Sequence, residues 1–278
     1  MVRIALLLGV LFIFAFANPP SAEELVLNKV RSILDAKSFT QNRAFIRIIF
    51  SPAKKFIHND RVDAVKVVET LKENGLLKLF FNEPTPIVLM FKTNGSPLFF
   101  VKIVSDTLRN IGYYRFVTDA SKYNSSEFSW SVNIVSEYAA DPMILQKELK
   151  KSGCRIIDIE RKTPTSWSYT IDMHDAHLPV QVLEEGSVVR LRHSLSPYWL
   201  DVSRIRRLRM VSRGRNHWYP DLSFYDAQLH LVKVIERDKR SYDITVVIPK
   251  NARYIKIADI YTMKNIKDSL ELHPIGSR

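Results

Sequence analysis

VKVVETLKENGLLKLFF, residues 65–81, reads as an amphipathic helix, a glycine stop and a strand, and it recurs. Residues 101–117, VKIVSDTLRNIGYYRFV, match it at Leu71/Leu108, Lys72/Arg109, Gly75/Gly112 and Lys78/Arg115. A looser copy runs from Met143 to Ile157, with Leu149, Lys150 and Gly153 in the same places. Recurrence at intervals of roughly 40 residues predicts a reiterated helix–strand–strand unit. Val62, Val65, Val68 and Leu71 make the apolar stripe of the first helix, and Phe100, Ile103, Val104, Leu108 and Ile111 that of the second. Each glycine falls where a helix end needs a left-handed residue, a conformation that costs glycine no Cβ clash.

Outward from this core, Ser21-Ala-Glu-Glu24 is a capping-box pattern that opens a helix reaching to about Asp35. Ala44–Phe50 is rich in β-formers and is expected to be a strand. In the first copy, Leu76–Phe81 and Ile87–Phe91 are expected as two strands joined by a turn at Asn82–Pro86, because its prolines cannot donate to a ladder. In the second copy the paired strands are expected at Tyr113–Val117 and Phe128–Val135, and in the third at Arg155–Glu160 and Trp167–Asp172. Ser96-Pro97 and Asp141-Pro142 place a cap and a first-turn proline before the second and third helices.

Past Leu178 the helical period is lost. Short β-rich runs follow at Val188–His193, Trp199–Val202, Leu208–Val211, Leu229–Ile235, Ile244–Ile248 and Tyr254–Ile260. Such strands with turns between them predict a β-sandwich. The expected class is therefore α+β: a helix and linker over 18–42, repeated αβ units over 43–175 and a sandwich over 178–278.

The beginning of the chain speaks to its compartment. Arg3 gives a positive start, Ile4–Phe16 is an apolar run, and Ala15-Phe16-Ala17 has the small-x-small pattern of a cleavage site. This is the layout of a secretory signal over 1–17, and the run is shorter than the roughly 20 residues that a bilayer span needs. A cleaved signal predicts a periplasmic protein. The single cysteine, Cys154, cannot form an intramolecular disulfide and is expected in the core. The charge of +12, from 41 Lys+Arg against 29 Asp+Glu, calls for an anionic partner or surface.

Two stretches invite a chemical reading. Arg204–Arg215 holds Arg204, Arg206, Arg207, Arg209, Arg213 and Arg215, six arginines in twelve residues. The guanidinium fork suits phosphates and carboxylates, and behind a secretion signal the available polyanions are lipid headgroups, acidic glycans or an acidic protein face rather than nucleic acid. The plainer alternative is a strand whose arginines pair with Asp201, Asp221, Asp226 or Glu236. Trp199, Trp218 and Tyr219 lie beside this ribbon and offer flat faces to a sugar ring, or simply fill a sandwich core. Asp172, His174, Asp175 and His177 are metal-ligand residue types, but with no fourth ligand or second shell evident they read as an exposed linker. Ser51-Pro-Ala-Lys54 fits Ser-x-x-Lys; its companion motifs are incomplete and in reversed order, so it is set aside.

The αβ units resemble the small modules that exported Gram-negative proteins use in ring- and envelope-spanning assemblies. Tyr198-Trp-Leu-Asp-Val202 and Ala252-Arg-Tyr-Ile-Lys-Ile257 are similar to strands of discoidin-like, galactose-binding sandwiches. The whole chain resembles secreted proteins of flagellated Gram-negative bacteria, which adds a habitat and no activity. The expected function is a non-enzymatic adaptor or scaffold of the cell envelope, without cofactor or metal. Its expected partner is an envelope protein or an anionic glycan or lipid surface, with peripheral membrane contact allowed. A carbohydrate- or anionic-surface-binding module is the alternative, and a metal-dependent enzyme at His174 and His177 the third.

Overall fold

The computed structural model describes residues 19–278, so the proposed signal segment and its cleavage site lie outside the described residues. The chain opens with α1 (Ala22–Ile33), α2 (Ala36–Gln41) and α3 (Arg43–Ile49). The Ser21 hydroxyl caps α1 by accepting from the Glu24 N–H at 3.2 Å, as the capping pattern predicts. Asp35 belongs not to α1 but to the cap of α2, where its carboxylate accepts from the Ser38 N–H at 2.9 Å. The strand expected at Ala44–Phe50 is instead α3. Ile46 and Phe50, four residues apart, are both buried, so helical packing overrides the β propensity of the run.

A short ribbon, β1 (Ile57–His58) with β2 (Arg61–Val62), leads into α4 (Ala64–Glu73) and β3 (Phe80–Thr93). Then come α5 (Pro97–Asn110), β4 (Val117–Tyr123), β5 (Phe128–Tyr138), α6 (Pro142–Lys150), β6 (Arg155–Thr163) and β7 (Ser166–Asp172). The strands form one five-stranded sheet in the order β4-β5-β3-β7-β6, antiparallel except for the central β3–β7 pair. Ile87, Leu89 and Phe91 alternate along β3, and Trp130, Val132 and Ile134 lie across from them on β5. Tyr169 lies beside Phe91 on β7, its ring 5.6 Å away. This face is buried in one hydrophobic cluster with Val26 and Val30 of α1, Val68 and Leu71 of α4, Val104 and Leu108 of α5 and Leu149 of α6.

β3 corrects the expectation of two strands and a turn. The chain runs on through Asn82–Pro86 as a bulge, since Phe80 and Thr85 both pair with β5, at Tyr138 and Ser136. The prolines are tolerated there because β7 pairs only with Val88–Lys92, leaving Pro84 and Pro86 with no neighbour on that side. After α5, β4 starts at Val117, at the end of the strand expected over Tyr113–Val117.

The three helix stops take the expected conformation: Gly75, Gly112 and Gly153 have φ of 72°, 106° and 70°. Each end closes in the same way. The glycine N–H bonds the carbonyl three residues back, of Lys72, Arg109 or Lys150, and the next N–H reaches the carbonyl five back, of Leu71, Leu108 or Leu149. That double closure is the Schellman motif, which uses carbonyls the helix would otherwise orphan.

Eight strands follow: β8 (Val189–Leu191), β9 (Tyr198–Asp201), β10 (Ile205–Ser212), β11 (Pro220–Tyr225), β12 (Leu231–Glu236), β13 (Asp243–Val247), β14 (Tyr254–Asp259) and β15 (Leu270–Ser277). They make two four-stranded sheets, β13-β10-β15-β8 and β12-β11-β14-β9, antiparallel throughout. Leu208, Met210, Val246 and Leu272 of the first share one hydrophobic cluster with Leu222, Phe224, Ile255 and Ile257 of the second. The sequence pattern misses β11 and β15, both interior strands, because Pro220 opens one and Pro274 interrupts the other. Pro274 is accommodated because β8 pairs no further along β15 than Leu272.

The chain is mixed α/β and mostly strand. The segment between the two halves is not an open linker: Met173 and Leu178 are buried, and the Leu178 N–H donates to the Tyr254 hydroxyl at 3.2 Å. The halves also meet where Phe99 packs against Tyr254 and the Ser96 hydroxyl donates to the Gln228 carbonyl at 3.1 Å. Among the described residues no helix is long and apolar enough to cross a membrane.

Candidate functional site

The arginine ribbon runs from Arg204, just before β10, along that strand to the turn after it. Leu208 and Met210 point into the core, so Arg207 and Arg209 face out by strand alternation. Four of the six arginines are paired, though with none of the acids proposed from the sequence. Arg204 meets Glu184, Arg209 meets Asp243 at 2.5 Å, Arg213 meets Glu271 at 3.2 Å and Arg215 meets Asp268 at 3.1 Å. Such pairs need neighbouring strands that the sequence does not announce: Asp243 lies on β13 and Glu271 on β15, and both flank β10. Of the two readings the ribbon allowed, carboxylate pairing holds for Arg204, Arg209, Arg213 and Arg215.

The Arg209 guanidinium holds the Asp243 carboxyl below its ordinary range, and the Arg190 guanidinium does the same for Glu271. Asp268 is lowered first by the Arg215 backbone N–H and then by its guanidinium. Asp268 also packs on Gly214, whose φ of 68° makes the turn. Four of the ribbon's six charges are thus tied to carboxylates, two of them, on Arg213 and Arg215, at this turn. Arg206 and Arg207 have no carboxylate partner among the described residues and are exposed.

The aromatic platform is largely dismantled. Trp218 is fully buried, and its indole N–H donates to the Ala258 carbonyl at 2.8 Å. It is a core residue and offers no face to a ligand, a correction that follows from its place between the two sheets. Trp199 is half-buried, packed at a tilt against Tyr225 with ring centres 5.1 Å apart, and covered by the Lys102 ammonium 5.0 Å from its ring. Tyr219 is half-buried edge-on to Tyr261.

The histidine loop brings no ligand set together. The His174 N–H caps the Asp172 carboxylate, and His177 Nδ1 lies 3.1 Å from the Asp175 carbonyl. Among the described residues no group of three or more metal-ligating side chains converges. The loop packs instead on Gly153, where an added Cβ would stand 2.9 Å from His177 Nδ1. Cys154 is buried as expected, and desolvation, aided by the Asp172 charge, pushes its thiol up to about 12.

The sequence did not single out the cleft that the fold builds. About 870 Å³ of space opens where the ends of α4 and α5 and the start of α6 meet β3 and β5. Its floor is apolar, with Leu77, Leu79, Ile134 and Ala139 all buried. Its rim carries Phe80, Tyr114, Val135, Tyr138 and Ile144, each more than half exposed. Lys72, Lys78, Arg115 and Asp141 supply the charge. Asp141 is committed, accepting from the Met143 N–H at 2.9 Å and the Lys72 ammonium at 2.6 Å. Lys78 and Arg115 have no carboxylate partner among the described residues. Burial pushes the Tyr113 phenol up, and its hydroxyl donates to the Tyr138 carbonyl at 3.0 Å. One sequence signal pointed here: Lys78 and Arg115 each stand three residues after a helix-stopping glycine, and the fold brings both positions to one cleft.

Comparison with protein-family models, with curated proteins and with solved structures finds no match to this chain. Its surfaces therefore have to be read by their chemistry.

Proposed function

We propose that this protein is a non-enzymatic adaptor or scaffold of the bacterial cell envelope, exported to the periplasm by the segment 1–17. The first half is taken as repeated αβ units and the second as a β-sandwich. The common Schellman closure at Gly75, Gly112 and Gly153 supports the first point, and the single cluster shared by the two C-terminal sheets supports the second.

The observation that carries the proposal is a contiguous, exposed apolar and aromatic rim: Phe80, Tyr114, Val135, Tyr138 and Ile144 around one cleft. Grouped exposure of this kind marks an interaction surface, whereas apolar residues scattered singly need no explanation. Arg206 and Arg207, both exposed, favour a second reading, in which the start of β10 touches an anionic glycan or lipid surface. The two surfaces differ in chemistry and lie in different halves of the chain, as bridging two envelope components requires.

The test is photo-crosslinking in a secreting Gram-negative host, with the reactive residue at Tyr138 or Ile144, at Arg207, or at the exposed control Glu236. The adaptor reading expects a discrete crosslinked band from the cleft positions and none from Glu236. A band pattern identical at all positions would overturn it. A lipid or glycan adduct at Arg207 alone would favour the second reading.

A further inference from the structure

We infer that the cleft between the ends of α4 and α5 and the β3–β5 edge binds a single-chain anionic amphiphile, a hydrocarbon chain bearing one carboxylate or phosphate. The inference rests on reading this cleft as a contact surface and names what occupies it. The chain would lie on Leu77, Leu79, Ile134 and Ala139, and the anionic head would meet Lys78 and Arg115.

Three features carry the chemistry. First, the space is concave and its floor buried, so a flat bilayer surface cannot fill it, while about 870 Å³ is on the scale of pockets that enclose small ligands. Second, the charge is unbalanced in one direction. The cleft's one carboxylate, Asp141, is neutralised by Lys72 at 2.6 Å, which leaves Lys78 and Arg115 to face an incoming group. A guanidinium grips carboxylate or phosphate in two parallel bonds, and an ammonium adds a point charge. The Lys78 ammonium rests 5.9 Å from the Phe80 ring centre, at the limit of a cation–π contact, so its donors remain available.

The third feature separates an acyl chain from an extended peptide. A peptide docking as a strand draws on main-chain donors and acceptors of the wall. Several of those in this wall are already used. The Ala139 N–H donates to the Leu79 carbonyl at 2.7 Å, the Tyr138 carbonyl accepts from Tyr113, and the Tyr138 N–H donates to the Ser136 hydroxyl at 3.1 Å. A hydrocarbon chain asks nothing of the backbone. The apolar floor then supplies the affinity through burial, and the two cations select the sign of the head.

The test uses the mature full chain and calorimetric titration with palmitate, with palmitoyl lysophosphatidic acid and with hexadecyltrimethylammonium, each below its micelle concentration. Anionic vesicles and an acidic amphipathic peptide serve as separate arms. Both anionic chains are expected to bind at least ten-fold tighter than the cationic one, and the relative strength of the two identifies the head. The double variant Lys78→Gln/Arg115→Gln, with both residues exposed, should keep its melting temperature and lose that preference. Ile144→Asp at the rim should weaken all three chains. Equal affinity for the cationic chain, binding unchanged in both variants, or binding to vesicles or peptide alone would overturn the inference. If acyl chains fail while crosslinks at Tyr138 and Ile144 persist, the inference falls and the adaptor reading stands; if both are silent, both fall.

Discussion

Cys154 illustrates how position, rather than residue type, sets reactivity. Its side chain is enclosed behind the Schellman turn that ends α6, and its thiol, pushed up to about 12, stays protonated at any physiological pH. Because the thiolate is the nucleophile, the folded protein should not react with a disulfide reagent such as DTNB at pH 8, whereas the denatured chain should react fully. Full labelling of the native protein within minutes would show that the thiol is open to solvent. The arginines make the complementary point. Arg209 and Arg215 hold Asp243 and Asp268 below the ordinary carboxylate range, and both pairs lie at the surface. Depressed carboxylates contribute stability that is present at neutral pH and lost as pH falls through their folded-state pKa values.

The helix-ending glycines look interchangeable in the sequence, and the elements around them make them unequal. At Gly75 and Gly112 an added Cβ meets nothing within 4 Å, so Gly→Ala there costs only the left-handed backbone penalty, about 1–2 kcal/mol. At Gly153 the same Cβ would run into the Asp175 backbone carbonyl and the His177 ring. Gly153→Ala should therefore destabilise by well over the cost of Gly75→Ala, because the linker loop must be displaced as well. Chemical denaturation of the two variants side by side decides this, and equal midpoints would mean that the loop does not rest on Gly153. The bulged strand β3 is another product of context. Its prolines read as a turn, yet they occupy a stretch of the central strand that lacks a second neighbour.

At the scale of the molecule, the two halves are joined by a small set of specific contacts. Phe99 and Tyr254 are both buried where α5 meets β14, with ring centres 6.4 Å apart. The Tyr254 hydroxyl, pushed up by burial, accepts from the Leu178 N–H. Phe99→Ala should cost about 3–5 kcal/mol, the usual range for removing a buried phenylalanine. Because the lost packing joins the halves, we expect a single thermal transition to split in two. Calorimetry of the variant checks this, and one transition with an unchanged midpoint would show that Phe99 plays no part in coupling them.

Some of this protein was legible in its residues. The αβ-then-β order, the three helix stops, the caps at Ser21 and Asp141 and the burial of Cys154 all rest on local physics, in which a residue's own conformational limits decide the outcome. α3, the long β3 and the interior strands β11 and β15 were not legible, because propensity and proline signals yield to neighbours distant in sequence. The same distinction governs the surfaces. Composition announces an excess of positive charge, but only the pairing of strands decides that Arg209 and Arg213 find acids while Arg206 and Arg207 do not. Trp218 became core and not platform once two sheets closed over it. The cleft exists in no single segment: α4, α5, α6, β3 and β5 each bring part of its wall, and Lys78 and Arg115, 37 positions apart, meet there only through the fold.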